Sequence, residues 1–335
     1  MSAPVSTPTA AEYAPLRSDA GLVDRSDRVR MTFTGAQAAA TLTGLVTNDV
    51  LALQPGHGQY AAALTAKGKV IADVRIFQRD AEHFLVDVPA AAGAGFTAMV
   101  RKYVNPRLAR YTDISATVSC LGVAGPHARQ VVAHALACSP ATFDLLPPYA
   151  NCALPFADES VMVARAADYG DVDGFDCFVS AAASDALRTA LLASGAVPAS
   201  AAAVDVLRIE AGWPAWGVDM NEETLAQEAR LDELDAISYT KGCYTGQEVV
   251  ARVHFRGHVN RVLRGLRLDA PAGDDARVFA GDADVGSVRS RAVSPRLGAI
   301  ALAMLRRELE PGTPVTVRSS AGDTPATVAA LPFPA

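Results

Sequence analysis

Polar and apolar positions alternate along several short stretches of the chain and recur at helical spacing in others. Val29-Arg-Met-Thr-Phe33 reads as a strand, and Thr34-x-x-Gln37 is placed to cap an Ala-rich helix running to about Val46. After the Thr47-Asn48-Asp49 break, strands are expected over 60–64 and 70–78, joined by a turn over 65–68. A third strand, 84–88, leads through Pro89 into a helix whose apolar face is Phe96, Met99, Val100, Tyr103 and Val104. The same order then recurs. A strand ending Leu121-Gly-Val123 meets Gly125-Pro126 and a helix with Val131, Val132, Ala135 and Leu136 inward, followed by strands at 161–164 and 177–180 and a helix over 184–193. The two series are offset by about 90 residues, which predicts two similar α+β units, each an antiparallel sheet with helices on one side. An Ala-rich link over 193–203 leads to a further helix over 204–211. Beyond Gly257, short strands at 259–268, 277–280, 285–288, 298–302 and 315–317 between Pro/Gly turns predict a small all-β domain. The expected organisation is a flexible tail over 1–19, lobes over 20–115 and 116–257, and the β domain over 258–335.

A chain of 335 residues, half of them hydrophobic, suits two or three domains with sizeable cores. No apolar run approaches the ~18 residues of a membrane span. Residues 1–15 contain no Lys or Arg and lack a basic-then-apolar order, so neither a signal nor a transit peptide is expected. The net charge of −6 gives no general attraction for nucleic acid. Five cysteines, at 120, 138, 152, 177 and 243, form no CxxC pair and suggest neither a disulfide framework nor a zinc site. These features describe a soluble protein of a reducing compartment, expected to be cytoplasmic and monomeric. Gly93-Ala-Gly95-Phe-Thr-Ala98 matches a dinucleotide fingerprint, yet Pro89 places both glycines inside a helix. Asp171-Val-Asp173-Gly174 reads as a turn, because a calcium loop would put Tyr169 and Ser180 at ligand positions. His254 and His258 have i,i+4 spacing, but Gly257 and local alternation argue against a helix, so no metal is expected.

The stretch richest in chemistry is Lys241-Gly-Cys243-Tyr-Thr-Gly-Gln-Glu248. Thr245-x-x-Glu248 has the form of a capping box, and a cysteine just ahead of a helix start, with Lys241 nearby, is expected to titrate below its usual value. The plainer reading is a small residue fitted into a tight turn between Gly242 and Gly246. Downstream, Val253 and Phe255 alternate with Arg252, His254 and Arg256, as in a strand with one cationic face.

This motif, with the following Val-Ala-Arg and Phe-Arg-Gly, closely resembles the signature of the YgfZ-type folate-binding proteins. They are relatives of the glycine-cleavage T-protein (aminomethyltransferase) linked to iron–sulfur enzyme maintenance. Leu207-Arg-Ile-Glu210-Ala-Gly resembles a family segment whose glutamate recognises the pterin ring, and a carboxylate can accept from the pterin 2-amino group and N3–H together. Tyr60 matches a tyrosine of the folate pocket, and the resemblance through Asn48 and Lys241 adds both as candidate folate contacts. Aminomethyltransferases carry two adjacent aspartates where this chain has Ala72-Asp73, a departure that favours the YgfZ branch. The resemblance implies a ring of two α+β lobes around a folate channel in which the first lobe binds folate, completed by a C-terminal β-barrel. It implies a tetrahydrofolate-binding accessory protein that supports assembly, repair or activity of iron–sulfur enzymes, including tRNA-modifying ones. Its partners would be folate and iron–sulfur proteins or their assembly factors, without direct contact to nucleic acid or membrane. Cys243 would supply redox or ligand chemistry. One alternative is a folate-dependent aminomethyltransferase or other C1-transfer enzyme with Asp73 as its acidic group; another is a non-catalytic partner-binding module using the Arg252/His254/Arg256 face.

Overall fold

The first helix forms inside the segment expected to be a tail. The computed structural model describes residues 4–334. Within it, Thr9 and Glu12 build a reciprocal capping box that starts α1 (Ala10–Ser18). Tyr13 and Leu16, three apart, bury one face of α1 in a core shared with later parts of the chain. Residues 10–18 are therefore a packed element.

The chain continues through β1 (Gly21–Asp24), β2 (Val29–Thr34), α2 (Ala38–Leu45), β3 (Gly58–Leu64), β4 (Val70–Gln78), β5 (His83–Val88), α3 (Ala90–Tyr103) and β6 (Arg110–Asp113). Strands β3-β4-β5-β2-β6 form an antiparallel five-stranded sheet. Helix α2 starts after Gln37 with no side-chain cap bond, so Thr34 does not cap it. The second unit comprises β7 (Val118–Ala124), α4 (Ala128–Ala135), β8 (Asn151–Phe156), β9 (Glu159–Arg165), β10 (Gly174–Ser180), α5 (Ser184–Ala193) and β11 (Val197–Pro198). Its sheet runs β11-β1-β7-β10-β9-β8. Strand β1, expected in the first lobe, pairs with β7 instead, Gly21 opposite Ala124, and so laces the two units together.

Helix α6 (Ala201–Glu210) leads into a long turn-rich segment and then α7 (Gln247–Arg256). Residues 252–256 thus lie in a helix, not in the expected strand. Gly246 at φ 85° turns the chain into α7 without any side-chain cap, so Thr245 and Glu248 do not form the expected box. The helix rides on the surface: Val250 is fully buried, Val249 and Val253 at helical spacing are half-buried, and Phe255 is exposed. His258 lies beyond its end, and no cluster of three metal-ligating side chains occurs among the described residues.

The chain ends in β12 (Arg261–Leu268), β13 (Arg277–Ala280), β14 (Ala283–Ser294), β15 (Gly298–Arg306), β16 (Pro314–Ser319) and β17 (Gly322–Ala329), closed as a barrel in the order β12-β15-β14-β13-β16-β17. Closure leaves no free sheet edge. The fold is α+β, with two sheet-containing lobes and a six-stranded barrel. No helix among the described residues is long and apolar enough to cross a membrane.

Period-two alternation positions the functional region. In β4, Ala72, Val74 and Ile76 enter the first lobe's core with Phe96 and Val100 of α3. The opposite face of that sheet meets the second lobe: Tyr60, Phe77 and Leu85 pack with Cys120, Met162 and Phe178, and the Phe77 and Phe178 ring centroids are 5.5 Å apart. Residues 73 and 75 fall on this inter-lobe face.

Candidate functional site: a cavity between the lobes

A cavity of about 510 Å³ opens on this face, within the range of small-molecule sites. Strands β3 and β4 contribute Tyr60, Asp73 and Arg75, and the β1–β2 turn contributes Arg25 and Arg28. The second lobe adds Tyr149, Asp168 and Tyr169, and the segment after α6 adds Trp213 and Trp216. Its aromatic wall is ordered: Tyr60 lies 5.2 Å from Trp213 and stacks on Tyr149 at 6.1 Å.

Beneath the cavity runs a buried ion network joining both lobes. Asp87 on β5 stands opposite Arg30 on β2 and Arg75 on β4 in the sheet register. Arg75 reaches Asp87 at 2.9 Å and crosses to Asp176 of β10 at 2.5 Å. Arg25 bridges Asp168 at 2.5 Å and Asp176 at 3.4 Å, and Arg28 binds Asp87 through Nε. Burial works against the charged form of Asp87, but Arg28, Arg75 and Arg30 together hold its carboxyl below the usual range. Asp168 is likewise held low by Arg25 against its own burial. Four guanidiniums thus face three paired carboxylates. Removing one partner of such a network costs about 3–5 kcal/mol, which makes it a rigid floor.

Asp73 is the fourth acid and is not part of these pairs. Burial raises its pKa, while Arg28, then its own backbone N–H and the Tyr60 hydroxyl, pull the other way. No hydrogen bond of normal geometry closes on its Oδ1 or on Tyr60 Oη, although the two side chains are close enough to influence each other, and Tyr149 Oη, Tyr169 Oη and Arg28 Nη2 are unpartnered too, all buried and all on cavity-lining residues. A buried polar atom left unpaired costs about 1–3 kcal/mol. Five on residues lining one cavity, drawn from both lobes, mark a surface suited to meeting a polar molecule rather than closing on itself.

The other sequence candidates lie elsewhere. Glu210, at the end of α6, faces a second cavity of about 460 Å³, with Trp213 lining both. Its oxygens accept from Tyr13 Oη at 2.9 and 2.7 Å, from Arg17 and Ser294, and from Arg296 at 3.5 Å. It joins α1, α6 and the β14–β15 turn of the barrel. Asn48 donates from Nδ2 to the carbonyls of Tyr60 at 2.9 Å and Asp235 at 2.8 Å, tying β3 to the segment before α7. Lys241 is buried and donates to the carbonyls of Thr43 and, at 2.7 Å, Val46, satisfying the end of α2. Burial pushes its pKa down to about 8, with Asp49 and Cys243 pulling it up. Cys243 itself is exposed on the turn before α7. Of the sequence candidates, the structure brings Tyr60 and Asp73 together in the cavity; Asn48, Glu210, Lys241 and Cys243 do not line it. Arg28, Arg75, Tyr149, Tyr169 and Trp213 were missed. Among them only Arg75 carried a sequence signal, a charge inside a largely apolar strand, the same signal given by Arg30 and Asp87 of the network beneath.

Residues 2–237 match the family described as the GCVT N-terminal domain, and residues 261–334 match the glycine cleavage T-protein C-terminal barrel domain. An aminomethyltransferase of Saccharopolyspora erythraea is 31% identical over 336 residues, covering 98% of this chain and 90% of its own. That of Ralstonia pickettii is 32% identical over 345 residues, covering 96% and 88%. The crystal structure of glycine cleavage system aminomethyltransferase T from Bartonella henselae shares the fold, with a TM-score of 0.86 at 23% identity over 97% of this chain and 89% of that one.

Proposed function

The chain belongs to the glycine cleavage T-protein family, and from that premise we propose that it binds tetrahydrofolate in the inter-lobe cavity and acts on the one-carbon unit folate carries, in the aminomethyl transfer for which its relatives are named. The carrying observation is the wall at Asp73: an acid with an unpartnered oxygen, buried beside unpartnered hydroxyls and flat aromatic surfaces. This donor set fits the group. Tyr60 and Trp213 offer faces to a flat heterocycle, and Asp73 Oδ1 offers an acceptor to its N–H edge. Bound tetrahydrofolate supplies the nitrogens that carry the one-carbon unit. The chain's part is to exclude water, fix the ring and hold or move a proton at Asp73. A carboxyl raised by burial keeps its proton closer to neutral pH, and Arg28 limits how far. In Asp73→Asn the group can no longer exchange a proton, so methylene-transfer turnover should fall by about 10²–10⁴-fold. Tetrahydrofolate should still raise Tm, since saturation at 100 times Kd adds about 2.7 kcal/mol. A wild type whose Tm does not respond to tetrahydrofolate would defeat the proposal.

One observation favours a second reading. Cys243 is exposed, lies off the cavity and sits in the motif that resembles the YgfZ-type proteins. On this reading the folate-bound protein supports iron–sulfur enzymes, including tRNA-modifying ones, with the thiol as redox centre or transient ligand. Folate binding without methylene-transfer turnover, together with loss of iron–sulfur enzyme protection in Cys243→Ser, selects it. Robust turnover with a fully protective Ser variant selects the first.

A further inference from the structure

The two lobes repeat one turn and finish it differently. Strand β2 runs into α2 through Thr34-Gly35-Ala36-Gln37, and β7 runs into α4 through Ala124-Gly125-Pro126-His127. The bonds correspond one to one. Gly35 N–H donates at 3.0 Å to the Glu82 carbonyl just before β5, and Gly125 N–H at 2.8 Å to the Asp173 carbonyl just before β10. Both glycines have positive φ, 115° and 134°. The outer strand also starts at the same register, Arg110 of β6 opposite Thr34 and Gly21 of β1 opposite Ala124. In the second lobe the turn is closed: Pro126 has no N–H, and His127 N–H donates to the Asp19 carbonyl at 3.0 Å. In the first lobe Leu108 stands in the place of Asp19, yet neither Ala36 N–H nor Gln37 N–H has an acceptor among the described residues. A concavity of about 450 Å³ opens there instead. Arg107 and Arg110 line it, and among the described residues neither guanidinium has an ion-pair or hydrogen-bond partner.

We propose that this opening binds a phosphate group, either the free anion or the end of a small phosphate ester. The site is separate from the inter-lobe cavity and does not depend on the folate reading. The α2 N-terminus has no side-chain cap, so its free amides and dipole favour an anion. Two guanidiniums add forked donors. A phosphate has enough oxygens for two amides and two guanidiniums together, whereas a carboxylate has only two. The second lobe fills its equivalent turn with an oxygen from its own chain; the first leaves that place to a ligand. Glu82 is the one carboxylate lining the opening, and His83 is occupied by Asp80 at 2.7 Å. Glu82 therefore opposes binding, and its removal should strengthen it.

The test is a titration of the full chain, labelled with ¹⁵N, with inorganic phosphate and with phenyl phosphate, against chloride at matched ionic strength. The Ala36 and Gln37 amide signals should move with a phosphate probe and not with chloride. Response to phenyl phosphate as well as to inorganic phosphate assigns the site to an ester, and response to inorganic phosphate alone assigns it to the free anion. Loss of one charged hydrogen bond corresponds to roughly tenfold in affinity, so Arg107→Gln and Arg110→Gln should each weaken binding by about that factor. Ala36→Pro removes one donor, and Pro126 shows that the same turn accepts proline in the second lobe, so the variant should fold normally and bind roughly tenfold more weakly. Glu82→Gln should bind more tightly. Amide shifts no larger with either phosphate than with chloride overturn the site. So does a folded Ala36→Pro that binds as tightly as wild type.

Discussion

Glu210→Gln is the substitution on which two accounts of one residue part most clearly. If the side chain serves mainly as a pterin acceptor, the variant folds normally and loses folate. Its partners in the structure lead us to expect the opposite. The carboxylate is buried and receives Tyr13, Arg17, Ser294 and Arg296, drawn from α1 and the barrel. Glutamine keeps the shape but replaces one acceptor oxygen with a donor, so at least one of these four donors is left facing another. Breaking a fully buried pair costs about 3–5 kcal/mol. The cost here is lower, because the Arg17 and Arg296 side chains are 18% and 33% exposed and Arg17 keeps Asp171 at 2.5 Å. A loss of about 2–3 kcal/mol follows. At an unfolding entropy of about 2.1 cal/mol/K per residue, this lowers Tm by about 3–4 °C if the chain melts as one unit. Scanning fluorimetry measures it, and limited trypsinolysis at Arg17 should quicken as α1 loosens. Tetrahydrofolate affinity of the folded variant should stay within a few-fold of wild type. An unchanged Tm with affinity reduced a hundredfold would refute this reasoning and return Glu210 to the pterin.

Two further outcomes follow from the same chemistry. Because burial raises the folded-state pKa of Asp73 above its unfolded value, the side chain costs stability once the unfolded chain ionises, from about pH 4 upward. Asp73→Asn should therefore melt above wild type at pH 7 and lose that advantage on acidification to pH 3; a variant less stable at both would mean that the carboxylate has a partner after all. Competitive alkylation should label Cys243 first, because it is exposed on a turn, whereas burial raises the thiols of Cys120, Cys177, Cys138 and Cys152. Mass spectrometry across pH 5–9 measures the order, and equal labelling of Cys243 and Cys177 would contradict it.

The paired lobes and the terminal β domain were legible because their strands alternate cleanly and Gly or Pro punctuates them. Helix α7 was not, because Val253 and Phe255 alternate with Arg252, His254 and Arg256 and masked the helical spacing of Val249, Val250 and Val253, the positions that turn inward. Phe255, 67% exposed, is a surface side chain that looked like a core one. Helix α1 carried a readable signal in Thr9-x-x-Glu12, ahead of Tyr13 and Leu16. The pairing of β1 with β7, about a hundred positions on, left no local trace. The cavity floor was hidden for a different reason. Arg30, Arg75 and Asp87 each look like the polar face of a half-exposed strand, and only the register of three neighbouring strands shows that they neutralise one another in the interior.

That register also changes what Ala72 means. Seen along the sequence, an alanine where aminomethyltransferases have the first of two aspartates looks like a lost catalytic group. Adjacent residues of a strand point to opposite faces, so two neighbouring acids on β4 could not both reach the same cavity. Here Ala72 is fully buried among Val74, Ile76 and Phe96, where a carboxylate would have no partner, while Asp73 turns toward Tyr60 and Arg28. The position that can touch a ligand is the one that keeps its acid. The absent aspartate is thus no physical objection to one-carbon chemistry at this site. The weight of the choice between the two readings falls on Cys243, which lies outside the cavity, and on whether turnover needs anything beyond the Asp73 wall.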